Sequence, residues 1–117
     1  MDMENALQAL KALSQRTRMT IFRLLVAHEP TGLPVGVLAE QLRQPQNTIS
    51  THLAILARAG LVAAQRQGRL RFYRACLPKL QALTGFMLEE CCTQHPGQCS
   101  ASATLATHPC APPPSTC

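Results

Sequence analysis

The chain contains no tryptophan, one tyrosine and three phenylalanines among its 117 residues. Its core must therefore be filled by Leu, Ile, Val and Ala, which favours packed helices over a sandwich of sheets. Apolar residues make up 46% of the chain, enough for the interior of one small domain. No run of about eighteen apolar residues is present to span a bilayer, so no membrane partner is expected. The first residues include Asp2 and Glu4 and lack the basic and apolar stretches of a secretory signal. A cytoplasmic location is the resulting expectation. No Gly-rich phosphate-cradling loop occurs, and no cysteine has an obvious anion pocket around it, so an enzyme, including a thiol enzyme, is not expected.

Positive charge is missing from one end. Every Lys and Arg lies at or before Lys79, a stretch whose acidic residues are Asp2, Glu4, Glu29 and Glu40; residues 80–117 carry only Glu89 and Glu90. The basic part is the candidate surface for a polyanion. Six cysteines would suit a disulfide scaffold in a secreted chain. In a reducing compartment they read as thiolate chemistry instead.

Ala6, Leu7, Leu10 and Leu13 recur at helical spacing and predict a first amphipathic helix. Ser14 is the expected cap of a second, over about residues 15–27, with Ile21, Phe22, Leu24 and Leu25 inward until Pro30-Thr31-Gly32 ends it. A short third helix covers residues 35–42, with Pro34 near its first turn. After Gln44-Pro45, a fourth runs over residues 46–59 to Gly60. Its Ile49, Leu53 and Leu56 stand at i, i+4 and i+7 and face inward together. At about 100° per residue, Asn47, Thr51 and Arg58 fall opposite, with Thr48 and Ser50 on the flanks.

Residues 61–65 and 70–75 read as two strands joined by Arg66-Gln67-Gly68-Arg69, where Gly68 supplies the positive φ of the turn. A last helix starts near Pro78 and carries Leu80, Leu83, Phe86 and Met87 until Pro96-Gly97 stops it. Residues 1–99 thus form one domain, and 100–117, rich in Pro, Ala, Ser and Thr, are expected to be a disordered tail. The predicted fold is mainly α with a β-hairpin wing, a winged helix-turn-helix.

Two short helices at a tight turn, the second with a polar outer face, form the arrangement that seats a helix in the major groove of DNA. Gln46, Asn47, Thr48, Ser50 and Thr51 carry the donors and acceptors that base edges recognise. His52 joins these candidates, although its place near the apolar stripe favours a packing role. Arg66, Arg69 and Arg71 on the hairpin suit phosphates or the minor groove. The expected partner is double-stranded operator DNA.

At these residues the sequence resembles the ArsR/SmtB repressors of prokaryotes. The stretch from Leu13 to Leu25 looks like that family's second-helix signature, while Val37–Leu42 and Asn47–Leu53 look like its helix-turn-helix. Leu56–Val62, followed by Gly68 and Tyr73, looks like its wing. Pro45 departs from the pattern, because such proteins usually carry Ser or a similar helix cap there. The resemblance spans about residues 5–93. It implies a homodimer packed through its first and last helices, which reads a palindrome and represses transcription until a metal or metalloid binds.

Cys91 and Cys92, with Cys99 just past the Pro96-Gly97 turn, are the candidate ligands. A three-thiolate set suits a soft trivalent centre, As(III) or Sb(III), better than calcium or magnesium. Zinc, with His95 nearby, cadmium and methylarsenite remain open, as does a thiol redox switch in which Cys92 and Cys99 bridge. Cys76 reads as a small buried apolar residue; Cys110 and Cys117 read as bystanders in the tail, with Cys110 kept open as a further ligand that a tail can donate.

Overall fold

The computed structural model describes the backbone of residues 1–94 and the side chains of residues 1–89. Helix α1, Met3–Leu13, begins at Asp2, whose Oδ1 accepts the Asn5 amide at 2.8 Å. Helix α2, Arg16–Ala27, is capped by Gln15, whose Oε1 accepts the Arg18 amide at 2.8 Å. Ser14, the cap expected from the sequence, closes α1 instead. Both its amide and its hydroxyl donate to the Lys11 carbonyl, at 3.3 and 3.1 Å. A single side chain cannot serve both helix ends, and the orphan carbonyls of α1 take this one.

Strand β1, Leu33–Pro34, is two residues long and leads directly into α3, Val35–Leu42. It has no periodicity to betray it in the sequence and was not expected. Arg43, left-handed at φ 56°, ends α3. Helix α4, Gln46–Arg58, then begins after Pro45, which offers no side-chain cap; its carbonyl accepts the Thr48 and Ile49 amides, both at 3.1 Å.

Strands β2, Val62–Gln67, and β3, Leu70–Ala75, form the hairpin. The ladder extends to Arg66 opposite Arg71 and Gln67 opposite Leu70, so the turn is the two residues Gly68 and Arg69 rather than the four expected. Gly68 has φ +63° and no other residue of the turn is positive, the sign pattern of a type II′ turn, which matches the twist of paired strands. β1 adds to the other edge of β3, giving the antiparallel order β1-β3-β2. Helix α5, Leu77–Gln94, completes the described chain.

The core lies where α2, α3 and α4 meet, and its largest fully buried side chains are Ile21, Leu25, Leu38, Ile49, Leu53, Leu56 and Leu61. Helix α1 approaches it closely because its inner face is alanine, with Ala6, Ala9 and Ala12 all buried. Leu7 and Leu10, expected inward, are 44% and 39% exposed. Arg74 and Glu29 form a bidentate pair at 2.8 and 3.3 Å that ties β3 to the loop after α2.

Two glycines with positive φ differ in surroundings. A Cβ on Gly32 (φ +79°) would press on the Tyr73 carbonyl and stand 2.7 Å from Arg74 Cγ, whereas one on Gly68 meets nothing within 4 Å. Gly68→Ala carries only the backbone cost, about 1 kcal/mol. Gly32→Ala adds a backbone clash and is expected to cost more than about 2 kcal/mol, as read by urea denaturation; equal losses would contradict this packing.

Candidate nucleic-acid interface

Burial of Ile49, Leu53 and Leu56 leaves α4 one way to turn, and this decides which of its residues reach solvent. Gln46, Asn47, Ser50 and Thr51 are exposed on one side, next to the α3–α4 turn. Thr51 donates its hydroxyl to the Asn47 carbonyl at 2.9 Å, which holds its methyl and its lone pairs in a fixed direction. Thr48 is half-buried. Without a side-chain cap on Pro45, the positive end of the α4 dipole is left for an external anion.

His52 is half-buried and turned toward α2, where its Nδ1 lies 3.3 Å from Arg18 Nη1. Burial, and then the Arg18 charge, lower its pKa from the ordinary histidine value. The ring is neutral at neutral pH. Arg18 is the residue that sequence reasoning missed here. It stands in the α2 stretch that resembles the family signature, and no local spacing links it to a position 34 residues later.

Of the hairpin arginines, Arg66, Arg69 and Arg71 are exposed, and Arg74 is taken by Glu29. Arg66 and Arg71 are directly opposed across the ladder. Two like charges so placed repel, and a polyanion offsets that repulsion. Arg69, Leu70 and Arg71 also line one wall of an open cleft of about 610 Å³, whose other walls are Pro34 of β1, Val35 to Val37 and Glu40 of α3, and Gln46. A Cβ added to Gly36 would meet the Gln46 side-chain amide nitrogen at 3.4 Å, so α3 and the start of α4 lie side by side here. The start of α4, the start of α3 and the hairpin thereby form one concave surface that carries Arg69 and Arg71 together with Glu40.

The backbone of α5 is helical through Cys91 and Cys92; their side chains, together with Cys99 and the tail at 100–117, lie outside the described residues. Among the described residues, no three His, Cys, Asp or Glu side chains converge. Cys76 differs from expectation. It is half-buried and disulfide-bonded.

A family model described as a helix-turn-helix domain matches residues 13–64. An uncharacterized HTH-type transcriptional regulator of Methanocaldococcus jannaschii is 40% identical over 70 residues, 60% of this chain and 76% of that protein. The transcriptional activator HlyU of Vibrio cholerae is 33% identical over 67% of this chain and 69% of its own length. Among solved structures, a possible transcriptional regulator for arsenical resistance is 33% identical, with TM-score 0.55 over 69% of this chain and 83% of that one. A homodimeric winged helix-turn-helix DNA-binding domain of Mycobacterium bovis, a possible ArsR-family regulator, is 27% identical, with TM-score 0.60 over 79% and 85%.

The two parts of this surface are expected to fail differently. Arg66→Ala and Arg71→Ala weaken binding to all duplexes alike, each lowering the slope of log affinity against log salt by about 1. Asn47→Ala relaxes preference at one base pair by about 1–3 kcal/mol and leaves the salt slope unchanged. Fluorescence anisotropy on duplex DNA at several salt concentrations separates these outcomes.

Proposed function

Because the chain belongs to the winged helix-turn-helix transcriptional regulators of the ArsR type, we propose that it is a homodimeric repressor that leaves its operator when Cys91, Cys92 and Cys99 hold trivalent arsenic. The observation that carries this reading is the course of α5, one continuous helix from the wing through Cys91 and Cys92. Thiolates suit a soft trivalent centre, and antimony(III) fits the same donor set. Such a centre supplies three bonds to sulfur in a pyramidal arrangement.

Consecutive residues on a helix diverge by about 100°. Turning Cys91 and Cys92 toward one point therefore unwinds the last turn of α5. Met3, Leu7 and Leu10 on α1 and Met87 on α5 are exposed, with α1 packed against α5. A second copy covers this apolar surface; the similar domain of Mycobacterium bovis is described as homodimeric. A change in α5 then reaches the contact between protomers, and through it the spacing of the two recognition helices. Coupling of about 1–3 kcal/mol corresponds to a release of roughly five- to 150-fold.

A second reading is favoured by the bonded state of Cys76: peroxide takes two electrons and two protons from a thiol pair to give a disulfide and water, and the regulator responds to oxidation. Titration of the protein on its own promoter DNA with arsenite, under reducing conditions, distinguishes the two. Arsenite is expected to release wild type and to leave the Cys91, Cys92, Cys99→Ser triple variant bound with unchanged affinity. Release of the triple variant by arsenite would sink the trithiolate site, and release by peroxide alone would favour the redox reading. HlyU is named an activator, so a promoter fusion checks the direction of control: a repressor gives low expression that arsenite raises.

A further inference from the structure

The end of α1, the first turn of α2 and the middle of α4 meet at one side chain. Arg18 donates from Nε to the Ala12 carbonyl at 2.6 Å and from Nη1 to His52 Nδ1 at 3.3 Å, while Gln15 holds its backbone amide at 2.8 Å. Guanidinium has no acceptor, so His52 Nδ1 is unprotonated and the ring proton is on Nε2. Ala12 lies in the last turn of α1, where carbonyls lack an intrahelical donor; Arg18 supplies that donor and the charge a helix C-terminus favours. The planar guanidinium presents its donors in a rigid fork, so its two bonds set the separation of α1 from α4.

The charges around this junction are of one sign. Arg18 lines a cleft of about 200 Å³ with Lys11 of α1 and Arg58 of α4, together with Gln8, Ala12, Ile55 and Ala59, and among the described residues no carboxylate joins them. Gln8 adds a longer tie between the same helices, donating to the Arg58 carbonyl at 3.5 Å.

We propose that Arg18 is a positioning residue for DNA recognition: by bridging Ala12 and the unprotonated Nδ1 of His52 it fixes α4 against α1, and protonation of His52 releases α4. The proposal rests on α4 being the DNA-reading helix. A proton on Nδ1 removes the acceptor and sets a second cation against Arg18. Burial and the Arg18 charge already hold His52 below its ordinary pKa of about 6.5. The contribution of this contact is therefore complete above that value and is lost as pH falls through the lowered pKa. Direct contact of His52 with a DNA phosphate has the opposite sign, because the polyanion stabilises the protonated ring and affinity rises as pH falls.

The deciding comparison is the full chain with wild-type His52 against His52→Asn, whose amide oxygen keeps an acceptor near Nδ1 without titrating. Affinity for its own promoter duplex is measured at constant salt from about pH 7.5 to about pH 5.5, a range that brackets histidine titration. Wild type and His52→Asn are expected to agree within about twofold at the upper pH, and wild type to fall about fivefold further at the lower one, the worth of one hydrogen bond. Arg18→Lys keeps the charge without the fork; it is expected to lose about fivefold at the upper pH and the excess pH dependence with it. An NMR titration of the His52 ring in the wild-type protein needs no variant, and DNA should lower its pKa further. Equal pH profiles, a wild-type affinity that rises relative to His52→Asn, or a His52 pKa raised by DNA would overturn the proposal. Absence of any binding by wild type at the upper pH would overturn the reading of α4 itself and the proposal with it.

Discussion

The apolar stripe Ile49, Leu53 and Leu56 fixes everything that α4 can present. All three side chains are fully buried against the other core residues, so the helix cannot roll without exposing them. One rotation about the helix axis thus sets both the seat in the core and the row Gln46, Asn47, Ser50 and Thr51 outside. The candidate DNA-reading face and the core-facing stripe are two sides of the same geometric constraint, and changes on either face are felt separately because they point apart.

Much of this was legible in the sequence because it depends on local periodicity. The apolar spacing of α4, the breakers Pro45 and Gly60 and the glycine of the hairpin turn place their elements within a few residues of the observed bounds. What escaped has physical reasons. β1 is too short to show alternation, and its pairing with β3 exists only because the chain folds back. The hairpin turn is tighter than expected because Arg66 and Gln67 continue the ladder although their side chains read as loop residues. Leu7 and Leu10 look like core in a helical count, yet the close approach of α1 is made by its alanines, which leaves the leucines outside.

The site was legible in part for the same reason. Gln46, Asn47, Ser50 and Thr51 follow from the helix period, and Arg66, Arg69 and Arg71 from the basic hairpin. Long-range pairings left no trace. Nothing local marks Arg74 as the partner of Glu29 rather than a fourth free cation, nor Arg18 as the partner of His52. The thiols proposed as ligands belong to chemistry that a sequence declares by residue type, and the description of α5 adds the helical path that leads to two of them.

The short strand β1 has a mechanical consequence. Since Leu33 and Pro34 pair with Tyr73 and Phe72 and then run without a linker into α3, the wing and the first helix of the reading head are stitched at their base. The head behaves as a single rigid jaw. Under the proposed function, a signal arriving along α5 would meet no joint inside the jaw; it would alter the gauge between two jaws and preserve the fit of either one to its own half of the DNA.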